Sequence, residues 1–165
     1  MRSTTLAAVL LPSVIFAAPS TLVARASDEL CAPTSYTLSD YILVTSASSA
    51  YVNFNLKSAF ADTTIITDAV IGGANCVADG PTIPNSNECR VEGRRLLFDL
   101  RAPQDQAYYQ ITHTWICNGA TWMSGNAVNI DPLNCNDYDG TRICNGDPQT
   151  FAPQNVRRIC AGPTC

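Results

Sequence analysis

Residues 107–117 read AYYQITHTWIC. The stretch alternates with a period of two. Tyr109, Ile111, His113, Trp115 and Cys117 fall on one side, and Tyr108, Gln110, Thr112, Thr114 and Ile116 on the other. It contains neither Gly nor Pro and is dominated by aromatic and β-branched residues, so it reads as a β-strand. The face carrying Ile111, Trp115 and Cys117 suits a core. This is the central strand of the expected sheet.

The flanking segments read as its partners. Residues 94–101 set Leu96, Phe98 and Leu100 against Arg95, Leu97, Asp99 and Arg101, and residues 102–105 turn into the central strand. On the other side Asn118-Gly119 is a strong two-residue hairpin signal, leading into a strand over about 120–130 that Gly125 interrupts. Earlier, residues 36–45 alternate, with Asp40 breaking one face, and residues 51–60 (YVNFNLKSAF) give the cleanest pattern in the chain. There Val52, Phe54 and Leu56 face in while Tyr51, Asn53, Asn55 and Lys57 face out, as in an antiparallel strand with one wet side. Asn is a poor strand former, so Asn53 and Asn55 stand out on that wet side.

Residues 63–71 form a further β-branched strand, ended by Gly72-Gly73. Residues 77–89 hold Gly80, Pro81 and Pro84 and predict an irregular loop bracketed by Cys76 and Cys89. Beyond Pro132 the chain turns rich in Asn, Asp and Gly, and 131–165 reads as an irregular, disulfide-rich C-terminal extension wrapped over the domain. At least five strands at hairpin spacing predict a mainly-β fold, a small antiparallel barrel or sandwich stabilised by disulfides.

Arg2 followed by an apolar run over 6–18 reads as a signal peptide across residues 1–20, too short to span a membrane. A short pro-segment to 26, marked by Ala24-Arg25-Ala26, is the alternative, and a single secreted domain fills 27–165. The whole chain of 165 residues carries a formal charge of −4. Without Arg2 and Arg25 it has eight basic against fourteen acidic residues, near −6. That balance disfavours nucleic acid and membrane as partners. All eight cysteines, Cys31, Cys76, Cys89, Cys117, Cys135, Cys144, Cys160 and Cys165, follow the leader. An even number in an exported chain predicts four bridges. One between Cys76 and Cys89 would contribute about 3 kcal/mol through the loop it closes.

His113 is the sole histidine, which excludes two-histidine ribonuclease chemistry and a poly-histidine zinc site. It reads as a hydrogen-bonded core histidine. A hydrolase triad would pair it with Ser, but no G-x-S-x-G elbow is present. Residues 135–140 (CNDYDG) place Asp137, Asp139 and Gly140 like part of a calcium loop. Cys135 and Gly146 occupy its two ends, where carboxylates are required, so Asp131, Asp137, Asp139 and Asp147 read as turn residues. Glu88, Glu92, Asp99 and Asp105 are the acids available for a glycosidase pair, and Glu88 and Glu92 flank the Cys76/Cys89 loop instead of a cleft. Arg90, Arg94 and Arg95 read as a solvated face paired with those acids. No N-x-S/T sequon occurs. A carbohydrate-binding site would draw on Tyr36, Tyr51, Tyr108, Tyr109 or Trp122. No metal or cofactor is expected.

Taken together, the leader, Tyr36 and Leu38, the strand Val52-Asn53-Phe54-Asn55-Leu56, Cys76 and Cys89 around a Pro/Asn loop, Phe98 and the Tyr108-to-Trp115 strand resemble the fungal Alternaria major-allergen family. The resemblance covers 31 to about 130, and the cysteines at 144, 160 and 165 depart from it. It implies a small secreted β-barrel acting at a host surface as an effector or elicitor, with no catalytic residues. It also implies that Cys31 joins subunits in a dimer. The resulting expectation is a secreted, non-catalytic effector that binds a host extracellular protein or a cell-wall polysaccharide. A carbohydrate-binding module is the second reading and a small extracellular hydrolase the third.

Overall fold

The computed structural model describes residues 29–103 and 106–160. The leader, Asp105 and Cys165 lie outside them. The strands are β1 (Ser35–Thr45), β2 (Ala50–Ala59), β3 (Ile66–Thr67), β4 (Ala74–Gly80), β5 (Asn87–Glu88), β6 (Leu96–Leu100), β7 (Tyr108–Cys117), β8 (Ala120–Asn129), β9 (Leu133–Tyr138), β10 (Thr141–Gly146), β11 (Gln149–Phe151) and β12 (Arg157–Ile159). They form two antiparallel sheets. One runs β4-β2-β1-β10-β9 with β11 also on β1; the other runs β12-β8-β7-β6-β5 with β3 on β7. No sheet closes on itself, so the architecture is a sandwich, and β7 lies at the middle of its sheet.

The alternating residues of the two inner faces make the core. Phe54 of the first sheet meets Phe98 of the second edge-on, with ring centroids 5.0 Å apart, and Tyr41 meets Tyr109 at 6.0 Å. Leu38, Leu43, Val52, Leu56, Leu96 and Ile111 fill the space around them. A second, smaller cluster joins Trp115 and Trp122 to the Cys31–Cys117 bridge. A Cβ at Gly146 would clash with Ile130 and sit 3.3 Å from Tyr41.

Turn chemistry sets the register. Asn118 and Gly119 take φ values of 49° and 74°, the two left-handed residues of a tight hairpin between β7 and β8. Asp139 and Gly140 do the same between β9 and β10, at 47° and 76°. In the β1–β2 loop the Ser46 hydroxyl accepts hydrogen bonds from the amides of Ser48 and Ser49.

Several boundaries differ from the sequence reading. Residues 131–165 are not an irregular extension as far as they are described: β9, β10 and β11 complete the first sheet and β12 the second. β9 and β12 lie at sheet edges, where few large apolar residues are needed, and β10 turns Cys144 inward between β1 and β9. The expected strand over 63–71 shrinks to β3, and the loop expected from residue 77 begins only after β4 ends at Gly80. β8 runs unbroken through Gly125, whose amide donates to the Gln154 carbonyl at 3.1 Å.

Disulfides join Cys31–Cys117, Cys76–Cys89 and Cys135–Cys144, and Cys160 is also disulfide-bonded. Cys31 is thus bonded within its own chain, so the inter-subunit link implied by the family resemblance is not made through it. These bridges fit an oxidising, extracellular-type environment. Among the described residues no helix is long and apolar enough to cross a membrane.

Candidate functional site

Two places gather polar chemistry, and they differ in access. The first is interior. His113, on the inward face of β7, directs Nε2 to Asp68 Oδ1 at 2.9 Å and Nδ1 to the Tyr36 hydroxyl at 2.8 Å. Tyr36 also meets Ser124 Oγ at 2.8 Å, and Ser58 Oγ donates to Asp68 Oδ2 at 2.5 Å. The Val70 amide donates to Asp68 Oδ1, Asn126 Nδ2 donates to Ser124, and the Gln154 amide donates to Asn126 Oδ1.

The direction of these bonds follows from the groups that can only donate or only accept. The Gln154 amide fixes Asn126, whose Nδ2 then donates to Ser124. With the His113 proton on Nε2, facing an Asp68 carboxylate that can only accept, Nδ1 accepts from Tyr36, and the Tyr36 oxygen in turn accepts from Ser124. Each hydroxyl in this relay donates once, and the relay ends on three donors converging on Asp68. Neutral His113 with its proton on Nε2 satisfies all of them. A second proton on the ring would reverse Tyr36 and leave the Ser124 hydroxyl without an acceptor.

Serine, histidine and aspartate therefore do come together, as a hydrolase would need, but the arrangement is not a triad. Ser124 reaches His113 only through Tyr36, and the side chains of His113 and Asp68 are wholly inaccessible to solvent. Burial, the largest influence, raises Tyr36 above its ordinary phenol value and holds it as a neutral phenol, the opposite of an activated nucleophile. At Asp68 burial, the largest influence, also pushes upward, but the hydrogen bonds from His113, Ser58 and Val70 outweigh it and hold the carboxyl below its usual range. The relay ties β1, β2, β7, β8 and the loop bearing Asp68 into one unit.

The second place is an open groove of about 700 Å³ at one end of the sandwich. Its lining includes Tyr108, at the start of β7, with its cross-strand partner Asn129, and Gln106, Asp131, Leu133 and Arg142. Tyr108 is 39% exposed, and Arg142 enters no ion pair among the described residues. The rim is fixed by backbone: the Ile130 amide donates to the Ala107 carbonyl at 3.1 Å, and Arg101 donates to the Tyr108 carbonyl at 2.8 Å. Ala107 is fully buried at φ 47°, a left-handed conformation that costs a non-glycine residue about 1–2 kcal/mol. The groove can offer a ring face, a free guanidinium, a carboxylate and two amides to a polar ligand.

The other residues singled out in the sequence disperse. Tyr36, Tyr109 and Trp122 are buried, and Tyr51 is half-buried on the outer face of β2. Arg94 pairs with Glu88 at 2.7 Å on the surface, and Asp99 accepts from Arg101 and from the Ser86 amide. Glu92 and Arg95 line a separate hollow of about 310 Å³, and Arg90 lies away from both. Asp137, Asp139 and Asp147 are exposed, and no group of three or more His, Cys, Asp or Glu able to hold a metal occurs among the described residues. Sequence reasoning missed Arg142, Gln106 and Asn129, because three separate elements bring them together. It also missed Asp68, which lies in a loop 45 residues from His113.

A comparison with protein-family models, curated proteins and solved structures finds no match to this chain.

Proposed function

We propose that this protein is a secreted effector or elicitor that acts by binding a host or cell-wall component, without catalysis, through the groove between Tyr108 and Arg142. The observation that carries the reading is the contrast in access. The residues suited to acid–base chemistry are sealed in a self-satisfied relay, whereas the open groove holds groups suited to recognition: one aromatic face, one unpaired cation and two amides. Disulfides spread through both sheets and the apolar leader support export. Pockets of a few hundred Å³ with a few convergent polar groups are the usual form of a ligand site.

The test is capture by the purified, oxidised protein from host apoplastic fluid, beside the double variant Tyr108→Ala/Arg142→Ala. Both side chains are exposed, so the variant keeps its fold. A partner recovered by wild type and reduced at least tenfold with the variant is the expected result. Equal recovery by the two proteins would remove the groove from the account.

A further inference from the structure

The outer face of the β4-β2-β1-β10-β9 sheet carries an unusual composition. The chain holds twelve Asn, and strand alternation puts six of them on this one face: Asn53, Asn55, Asn75, Asn134, Asn136 and Asn145. Three lie in a single cross-strand row, in which Asn134 pairs with Asn145, Asn145 with Ile42, and Ile42 with Asn53. Five strands at about 4.8 Å spacing make this platform about 19 Å wide. Asn53 and Asn75 bond each other at 2.8 Å, while the amides of the other four have no side-chain partner among the described residues. Asn is disfavoured in strands, where Thr or Val would serve the fold better. A need for solubility does not select it, since Lys, Glu or Thr meets that need.

We propose that this face is a binding platform for a neutral polysaccharide, a surface separate from the groove, and the proposal rests on the reading above of an exported protein that works by binding. Each amide presents both a donor and an acceptor, matching hydroxyl groups that are themselves donors and acceptors. A charged polymer is a poor fit: the only charged residues alternation places on the face are Lys57 and Asp79, near its margins, with Asp40 on the bulge beside it. A protein partner fits less well, because protein hot spots are built on Trp, Tyr and Arg, and this face has no Trp or Arg. Its two aromatic residues suit a sugar ring better. Tyr51 stands one row from Asn53, and Tyr138, 79% exposed, lies on the same face at the β9–β10 tip.

The test is depletion of the oxidised protein by insoluble cellulose, chitin and β-1,3-glucan, with pectate as the charged control, in low and in 1 M salt. Wild type is expected on at least one neutral polymer, unaffected by salt. Asn53→Thr/Asn134→Thr/Asn145→Thr, which exchanges poor strand formers for a good one, is expected to lose at least tenfold in retention with unchanged circular dichroism. Tyr138→Ala, a surface change that cannot unfold the protein, is expected to lose several-fold. No retention on any neutral polymer, retention abolished by salt, or triple and Tyr138 variants that bind as wild type would each overturn the platform. Capture of a host component lost only in the groove variant would leave the groove standing without it.

Discussion

Replacing Asp68 by Ala removes the acceptor for three buried donors at once: His113 Nε2–H, the Ser58 hydroxyl and the Val70 amide. Each orphaned buried donor costs about 1–3 kcal/mol, and breaking buried charged networks costs about 3–5 kcal/mol in practice. We therefore expect a loss of about 4 kcal/mol, a large part of the stability of any domain this size. Asp68→Asn should lose only about 1–2 kcal/mol, because its carbonyl still accepts from His113 and Val70 while one hydroxyl proton of Ser58 goes unmet. The assay is urea unfolding at neutral pH followed by the fluorescence of Trp115 and Trp122. With an m-value of about 2 kcal/mol per M, the Ala midpoint should fall by about 2 M and the Asn midpoint by less than 1 M. A midpoint for Asp68→Ala within about 0.5 M of wild type, or an Asn variant as damaged as the Ala variant, would refute the relay as a structural anchor.

Further expectations follow from the same interior. The hydroxyls of Tyr41 and Tyr109 satisfy each other at 2.8 Å, so either single change to Phe should cost about 1–2 kcal/mol and the double change nearly nothing, a non-additivity a double-mutant cycle measures. Asp68 is held below its ordinary range, so its contribution is complete above about pH 4 and is lost as pH falls below that toward and through the depressed native value, and Asp68→Asn should flatten the acid limb of the stability curve. Burial raises Tyr36 and Tyr41 and pushes Tyr109 up to about 12, so stability should fall as pH rises above about 10, where the unfolded phenols ionise first. Gly146→Ala would drive a methyl into Ile130, itself fully buried, and should cost about 1–3 kcal/mol in the same urea assay.

The strands were legible where burial is one-sided. β1, β2, β6 and β7 announce themselves because Val52, Phe54, Leu56, Ile111 and Trp115 alternate with polar neighbours against a thick core. β9 and β10 did not, because of the apolar residues in LNCNDY and TRICNG only Leu133, Cys135 and Cys144 turn inward, while Ile143 alternates to the outer face. Asp139-Gly140 carried the signal that would have revealed their hairpin, the same tight-turn chemistry as Asn118-Gly119. Gly125 suggested a break because glycine weakens an isolated strand, but the segment around Gln154 covers it and takes up its hydrogen bond. His113 could be read as a core histidine from its strand face alone. Its partners could not: Tyr36 is 77 residues away and Asp68 sits in a loop without periodicity. The groove was invisible for a related reason, since of its polar lining only Tyr108 and Asp131 drew notice and neither has a local motif.

The measurement that bears most directly on a binding role without catalysis compares wild type, Tyr108→Ala/Arg142→Ala and Ser124→Ala on one captured partner, with the partner's mass followed over time. Wild type and Ser124→Ala should capture it equally and leave its mass unchanged, while the groove variant fails to capture it. A cleaved or altered partner that stays intact with Ser124→Ala, or capture indifferent to the groove, would contradict the account.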